Sequence, residues 1–188
     1  MKRILCFIIA TYLIAAVHIS AQESSFQQND NVVSLGVGAG GTLYSGYVWK
    51  GYSKLPTFSL TYERCILGNL FNEQSALGVG GIVGYTSAKY DYSGWGWTST
   101  DIMIGARGAF HYAFIDRLDT YAGLNVGYNI NSWKWRGTGY ETHHTTGSSA
   151  LSYAFFAGAR YYFTNSIGVY AELGYGYTLV NAGLTFKF

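Results

Sequence analysis

Ionisable side chains are few in this sequence, and they recur at particular places. Glu63, Arg107, Arg160, Glu172 and Lys187 all occupy the polar positions of stretches in which apolar and polar residues alternate. Met103, His111, Tyr121, Asn125, Phe156 and Tyr162 share that parity. Carboxylates and guanidinium groups gathered on one enclosed face form a buried charge network, because a carboxylate taken out of water stays ionised only beside a cation or donors. Such a network either packs an interior or gates ions, and packing is the plainer reading. Nucleophilic chemistry finds little support. A His and a Ser two apart on a strand, with an acid to orient the His, would serve a hydrolase, but the one His-x-Ser is His18-Ile19-Ser20, and His111 is followed by Tyr112-Ala113. His143, Asp91 and Ser93 are the loosest remaining acyltransferase trio. His143-His144 beside Glu141 lacks a second ligand pair to fix metal geometry. Gly78-Val79-Gly80-Gly81 does not precede a helix, so it does not cradle a nucleotide. No catalytic residue, metal ligand or cofactor site is expected.

The elements that position these residues are strands. Eight segments of period-two alternation are separated by turn signals: about 31–40, 55–65, 75–87, 100–114, 120–130, 149–163, 167–176 and 179–188. One face carries Val, Leu, Ile, Tyr and Phe, and the other Gly, Ser, Thr, Asn and the charges. Alternation alone does not say which face is inside. If Thr164–Ser166 is a three-residue turn, Arg160 faces Tyr170 and lies diagonal to Glu172. If Tyr177-Thr178 is a two-residue turn, Glu172 faces Gly183, which leaves room for a carboxylate. Glu172 is then expected to pair with Arg160 or Arg107.

Composition decides between the two faces. Of 188 residues, 18% are aromatic and only 12% charged, with 25 Gly and a single Pro; a soluble domain carries about twice that share of charge. Lys2 and Arg3, the apolar run Ile4–Val17 and the small residues of Ile19-Ser20-Ala21 read as a secretory leader over 1–21. Residues 22–30 are then a short periplasmic segment and 31–188 the folded domain. Without the 1–21 leader, which takes Lys2, Arg3 and Cys6 with it, ten basic and ten acidic residues remain and Cys65 is the sole thiol, so there is no basic patch for nucleic acid and no intrachain disulfide. After the leader no apolar run of 18 residues exists, and a membrane-embedded chain without spanning helices satisfies its backbone in lipid only as a closed barrel. The connectors also alternate, short after the second, fourth and sixth strands and long after the first, third and fifth, with the last one near Tyr177-Thr178 short again; transmembrane barrels have short turns at one end and longer loops at the other. The fold class is therefore all-β, a closed antiparallel eight-stranded up-and-down transmembrane β-barrel.

The last strand carries a further pattern. Asn181, Gly183, Phe186 and Phe188 place a polar residue, then Gly, then aromatics at the third-last and last positions. This resembles the C-terminal signal read by the outer-membrane assembly machinery, and strand addition is its physical basis. The layout as a whole resembles the small eight-stranded outer-membrane β-barrel family, which includes OmpX/Ail-type and OmpA-type barrel domains; no peptidoglycan-binding domain is expected after Phe188. The resemblance implies a bacterial outer-membrane monomer with both termini periplasmic, in contact with outer-membrane lipid, lipopolysaccharide and the assembly machinery.

Trp49, Trp95, Trp97, Trp133 and Trp135 all fall in or beside the three long connectors. They are expected to form an aromatic belt at the lipid interface, or contacts to an extracellular protein or glycan. The function expected is non-enzymatic: membrane integrity or surface adhesion. The alternatives are a lipid A-modifying deacylase or acyltransferase, or a narrow ion-conducting pore. The leader reading predicts that protein recovered from its native host begins at Gln22, which N-terminal sequencing checks.

Overall fold

A computed structural model of the chain describes residues 25–40, 52–93, 95–137 and 145–188. The leader, Trp49, Glu141 and His143-His144 lie outside the described residues. Nine strands run in chain order: β1 (Asn31–Ala39), β2 (Tyr52–Lys54), β3 (Thr57–Gly68), β4 (Ser75–Tyr92), β5 (Trp95–Ile115), β6 (Leu118–Gly137), β7 (Thr145–Tyr162), β8 (Ile167–Tyr175) and β9 (Val180–Lys187). All pairings are antiparallel. Each strand from β3 on pairs with the next, and β1 pairs with both β3 and β9. The ring of eight strands is thereby closed around its terminal half; above Phe155, β7 is paired on the β6 side alone among the described residues. Strand β2 lies on β4 above β3, and the register slips between Lys54↔Ala88 and Phe58↔Tyr85. Pro56 sits at the slip; it has no N–H to donate to a ladder.

Closure settles the two faces. Leu35, Leu60, Val83, Ile104, Leu124, Leu151, Leu173 and Leu184 lie exposed on the outside. Ser34, Thr61, Glu63, Arg107, His111, Asp119, Arg160 and Thr185 are buried inside. A barrel that turns its leucines outward and its charges inward is built for a hydrocarbon surround.

Strand lengths divide the ring. Strands β1, β8 and β9 have 9, 9 and 8 residues, whereas β4 to β7 have 18, 21, 20 and 18. A tilted strand crosses a bilayer core in about 9–11 residues, so roughly half of β5 stands beyond it, at the end opposite the termini. Much of what the sequence suggested as loop is consequently strand. Residues 88–92 and 95–99 pair with each other around a tight turn at Ser93, whose φ is 49°, and pairing of β5 with β6 continues to Trp95↔Gly137. The Ile115–Asp119 connector likewise contracts to a turn at Asp116-Arg117, where Arg117 takes a φ of 66°.

The turn expected at Tyr177-Thr178 is longer. Leu173 faces Val180, and Gly174 N–H donates to Leu179 O at 3.0 Å. Glu172 therefore faces Asn181, and Gly183 faces Tyr170. The physical reason is Gly176, whose φ of 110° lets the chain turn before Tyr177. Tyr177 is itself buried inside the barrel, its hydroxyl 3.3 Å from Phe58 O.

At the terminal end the short N-terminal segment folds onto the barrel. Asn29 N–H donates to Cys65 O and Cys65 N–H to Asp30 O. Phe26 and Cys65 are both fully buried, in one apolar cluster with Val32 and Ala76. Cys65 in the folded, leader-free protein is expected to resist maleimide labelling and to react fully once the barrel is unfolded by heat in detergent; mass spectrometry of the two samples checks this.

Candidate functional site

Among the described residues, two places bring chemistry-bearing side chains together. The first is a buried cluster inside the terminal half of the barrel. Arg107 and His111 stand four residues apart on β5 and so project from the same face. Asp119 and Tyr121, two residues apart on β6, likewise share one face. Arg160 on β7, Glu172 on β8 and Glu63 on β3 complete the cluster, and all seven are buried.

Glu63 lies at its centre. Arg160 Nη2 donates to Glu63 Oε2 at 2.6 Å, and Arg107 Nε stands 3.5 Å from the same oxygen. His111 Nε2 meets Glu63 Oε1 at 2.5 Å, while His111 Nδ1 meets Asp119 Oδ1 at 2.9 Å. Arg160 Nη1 reaches Asp119 Oδ2 at 3.4 Å. Arg107 Nη2 donates to Glu172 Oε1 at 2.5 Å, and the Tyr121 hydroxyl donates to that oxygen at 2.8 Å. Both nitrogens of His111 face carboxylate oxygens, an arrangement that an imidazolium with two N–H donors satisfies. The cluster then holds three carboxylates and three cations. Aromatic faces close it: Arg107 Cζ lies 3.6 Å from the Phe156 ring centroid and Arg160 Cζ 4.4 Å from that of Tyr121, and the Phe26 ring packs against His111 with centroids 4.3 Å apart and planes tilted by 38°.

Glycines make the space. Gly80 faces Glu63 on one side and Arg107 on the other, so these two side chains meet across a position with no side chain between them. A Cβ at Gly78 would collide with the Glu63 carboxylate, and one at Gly158, which faces Glu172, would lie 2.7 Å from Glu172 Cγ. The Gly-rich run on β4 is thus the socket of an ion pair.

The expected positions fare differently. Glu172 pairs with Arg107, and Arg160, which faces Tyr170, turns to Glu63 and Asp119 instead. Gly183 does not accommodate Glu172: a Cβ there would strike the Leu35 carbonyl of β1, so Gly183 serves close strand approach at the closing seam. Lys187 does not join the interior cluster. Its Nζ lies 3.4 Å from Asp30 and donates to Ser25 O at 2.9 Å, tying the N-terminal segment to the last strand. Asn181 is buried and donates to the hydroxyls of Ser59 (3.0 Å) and Tyr170 (3.1 Å). Phe186 and Phe188 face outward, and Phe188 exchanges two backbone hydrogen bonds with Asn31, both 2.9 Å. Sequence reasoning missed Asp119 and Phe26. Asp119 shares the parity of Tyr121, and Phe26 is an aromatic in an otherwise polar stretch.

The second place is the extended part of β4, β5 and β6. Trp95 and Trp97 fall on β5, Trp133 and Trp135 on β6, so they are strand residues rather than loop residues. Their parity matches that of the buried Ser99 and Asp101, and Trp97 faces Tyr90 and Trp135 across the ladders. They therefore line the inward side of the extension. A lipid-interface belt needs outward rings, so the structure does not place these four in one. Trp97 and Trp133 ring centroids are 4.8 Å apart, Trp133 and Trp135 6.5 Å with planes at 19°, and Tyr90 stacks on Trp97 at 6.2 Å. Below them Asn131 Nδ2 donates to Asp101 Oδ1 at 2.7 Å and to Ser99 Oγ at 3.0 Å.

No protein-family model matches the chain, and neither does any curated protein sequence. Solved structures do. The chain is similar to Ail, the attachment invasion locus protein of Yersinia pestis, in complex with the heparin analogue sucrose octasulfate: 16% identity, TM-score 0.56, covering 85% of this chain and 100% of that one. It is also similar to a second crystal structure of Yersinia pestis Ail, at 16% identity and TM-score 0.50, covering 86% of this chain and 100% of that one. The shared property is the fold, the closed eight-stranded barrel of the small outer-membrane type.

Removing one member of the charge cluster leaves the others buried without a counter-charge, which costs about 3–5 kcal/mol. Arg160→Met is expected to lower barrel stability by that amount in urea titrations in detergent micelles, whereas Lys134→Met, at an exposed position, changes it by less than about 0.5 kcal/mol.

Proposed function

We propose that the chain is a non-enzymatic bacterial outer-membrane barrel that is closed to solutes and presents an interaction surface for adhesion at its loop end. The observation that carries this reading is the filled interior. Eight strands leave a lumen just wide enough for side chains, and here the arginines, carboxylates and His111 span it and neutralise one another. A void between Ile82, Asn125, Phe156, Glu172 and Tyr177 holds only about 10 Å³, the limit for a single water molecule. The same packing argues against hydrolysis: both nitrogens of His111 are taken by carboxylates, and no serine or threonine is hydrogen-bonded to it among the described residues.

The termini face the periplasm in this reading, and the extended strands face outward. Asn181, Gly183, Phe186 and Phe188 act as the assembly signal, which suits their place in the closing strand. The leader over 1–21 directs export. Lipid, lipopolysaccharide and the assembly machinery are the constant partners. Ail, which shares the fold, has been crystallised with a sulfated sugar analogue, and an extracellular protein or glycan is the partner proposed at the loop end.

Fractionation and conductance test the proposal together. The protein is expected in the outer-membrane fraction, with unboiled and boiled samples migrating differently on gels, and purified protein is expected to give no steady conductance in planar bilayers. Recovery from the soluble fraction, or a sustained open channel, would overturn it.

A further inference from the structure

The segment ahead of β1 doubles back into the terminal mouth of the barrel. Ser25 and Phe26 are buried, whereas Gln27, Gln28 and Asn29 are exposed. A tight turn joins the two parts: Asp30 N–H donates to Gln27 O and Gln27 N–H to Asp30 Oδ2, both at 2.9 Å. Asn29 takes a φ of 74° in it, a left-handed conformation for which Asn is among the better suited residues. The turn sends Phe26 into the lumen. Its ring is fully buried, clustered with Val32 of β1, Cys65 of β3 and Ala76 of β4, and it covers His111 of β5. An eight-stranded lumen is just wide enough for side chains to fill, so one phenyl ring that touches β1, β3, β4 and β5 closes much of it. Two sets of contacts hold the segment. On β3, Asn29 N–H donates to Cys65 O at 3.1 Å and Arg64 Nη2 donates to Asn29 Oδ1 at 3.4 Å. On β9, Lys187 Nζ donates to Ser25 O at 2.9 Å, stands 3.4 Å from Asp30 Oδ2 and lies 5.2 Å from the Tyr162 ring centroid.

We propose that residues 25–30 are a stopper for this mouth, with Phe26 as the plug and Lys187 as the clasp, and that its seat keeps water from the Glu63, His111 and Asp119 side of the charge cluster. The cluster lies between two apolar layers. On the far side Ile82, Met103, Ala154 and Tyr177 pack together; three of these four belong to barrel strands. Phe26 is instead carried on a segment outside the barrel strands, so it can lift out without breaking a ladder between them. The mouth is thus closed by a piece that opens locally, at a lower cost than unfolding the barrel. The clasp places the release point at the closing seam, because β9 and β3 flank β1. This inference deepens the closed-barrel reading by assigning one of its two seals to a movable part.

Cys65, buried in the same apolar cluster as Phe26 and the sole thiol of the leader-free protein, is a native reporter. The test is the rate of maleimide labelling of the folded, leader-free barrel in detergent, followed by mass spectrometry over time. Phe26→Ala is expected to speed labelling by about tenfold or more. Lys187→Met, which removes a part-exposed clasp, speeds it by about two- to fivefold, and Phe26→Leu falls between wild type and Phe26→Ala. Tyr177→Ala, at the opposite end, leaves the rate at the wild-type value. Nitrogen-15 spectra of histidine-labelled protein give a second readout: the His111 ring N–H signals persist in wild type and are lost to water exchange in Phe26→Ala. The boiled–unboiled gel shift marks each variant as folded, and if Phe26→Ala lacks it, Phe26→Leu and Lys187→Met carry the test. Three results would each overturn the stopper: a folded Phe26→Ala barrel that labels no faster than wild type, Lys187→Met at the wild-type rate, or Tyr177→Ala as fast as Phe26→Ala. Any of these with no conductance in planar bilayers removes the stopper and leaves the closed-barrel reading standing, whereas sustained conductance of the wild type removes that reading whatever Cys65 does.

Discussion

Closing eight strands into a ring leaves an interior with no room for bulk water. A charge on an inward position must find a counter-charge or a hydrogen-bond donor there, and the rest of the structure follows from that constraint. Glu63 is the residue on which the pairing converges, since Arg107, His111 and Arg160 all reach it. Gly78 is small because the Glu63 carboxylate occupies its space, and Gly80 because the Tyr62 carbonyl of β3 passes where its Cβ would stand. Phe26 covers His111, and Lys187 holds the segment that carries Phe26. A buried ion cluster is not by itself a large source of stability. Its role here is to allow the lumen to be filled with polar side chains while the outer face is given over to leucine, valine and aromatics.

The outer face answers a second constraint. In hydrocarbon every backbone N–H and C=O must be paired within the protein, and closure through β1–β9 and β4–β5 does this around the terminal half without a free edge. The closing seam is tight. Gly36 and Gly183 face each other across β1 and β9, and Tyr170 and Asn181 pack where a Cβ on Gly36 would otherwise stand. The terminal residues that resemble an assembly signal are thus also the residues that complete the ring.

Much of this was legible in the sequence, for a physical reason. Period-two alternation fixes side-chain parity, so Glu63, Arg107, His111, Arg160 and Glu172 could be assigned to one face before any contact was known. Parity does not fix register. The Glu172–Gly183 alignment failed because Gly176 starts the turn early, a property of one backbone angle that spacing does not reveal. Asp119 was lost to a connector because Arg117 takes a positive φ that is unusual for its type. The tryptophans were read as loop residues because the extension of β4, β5 and β6 carries polar, glycine-containing segments such as Ser99-Thr100-Asp101 and Trp95-Gly96-Trp97, which resemble turns. Their inward direction became visible only through the ladder that joins Trp97 to Trp135 and Ser99 to Trp133.

The central claim is that this barrel has lipid outside and neither lipid nor water inside, and two adjacent residues report on both. Met103 is fully buried and Ile104 is 51% exposed on the opposite face. Met103 is also the only methionine beyond the first residue of the sequence, so its methyl signal is unambiguous. The direct measurement is nuclear Overhauser contact from methyl-labelled protein in lipid nanodiscs. The account predicts acyl-chain contacts for the Ile104 methyl and contacts to neither lipid nor water for the Met103 methyl. Water contacts at Met103, or water in place of lipid at Ile104, would contradict it.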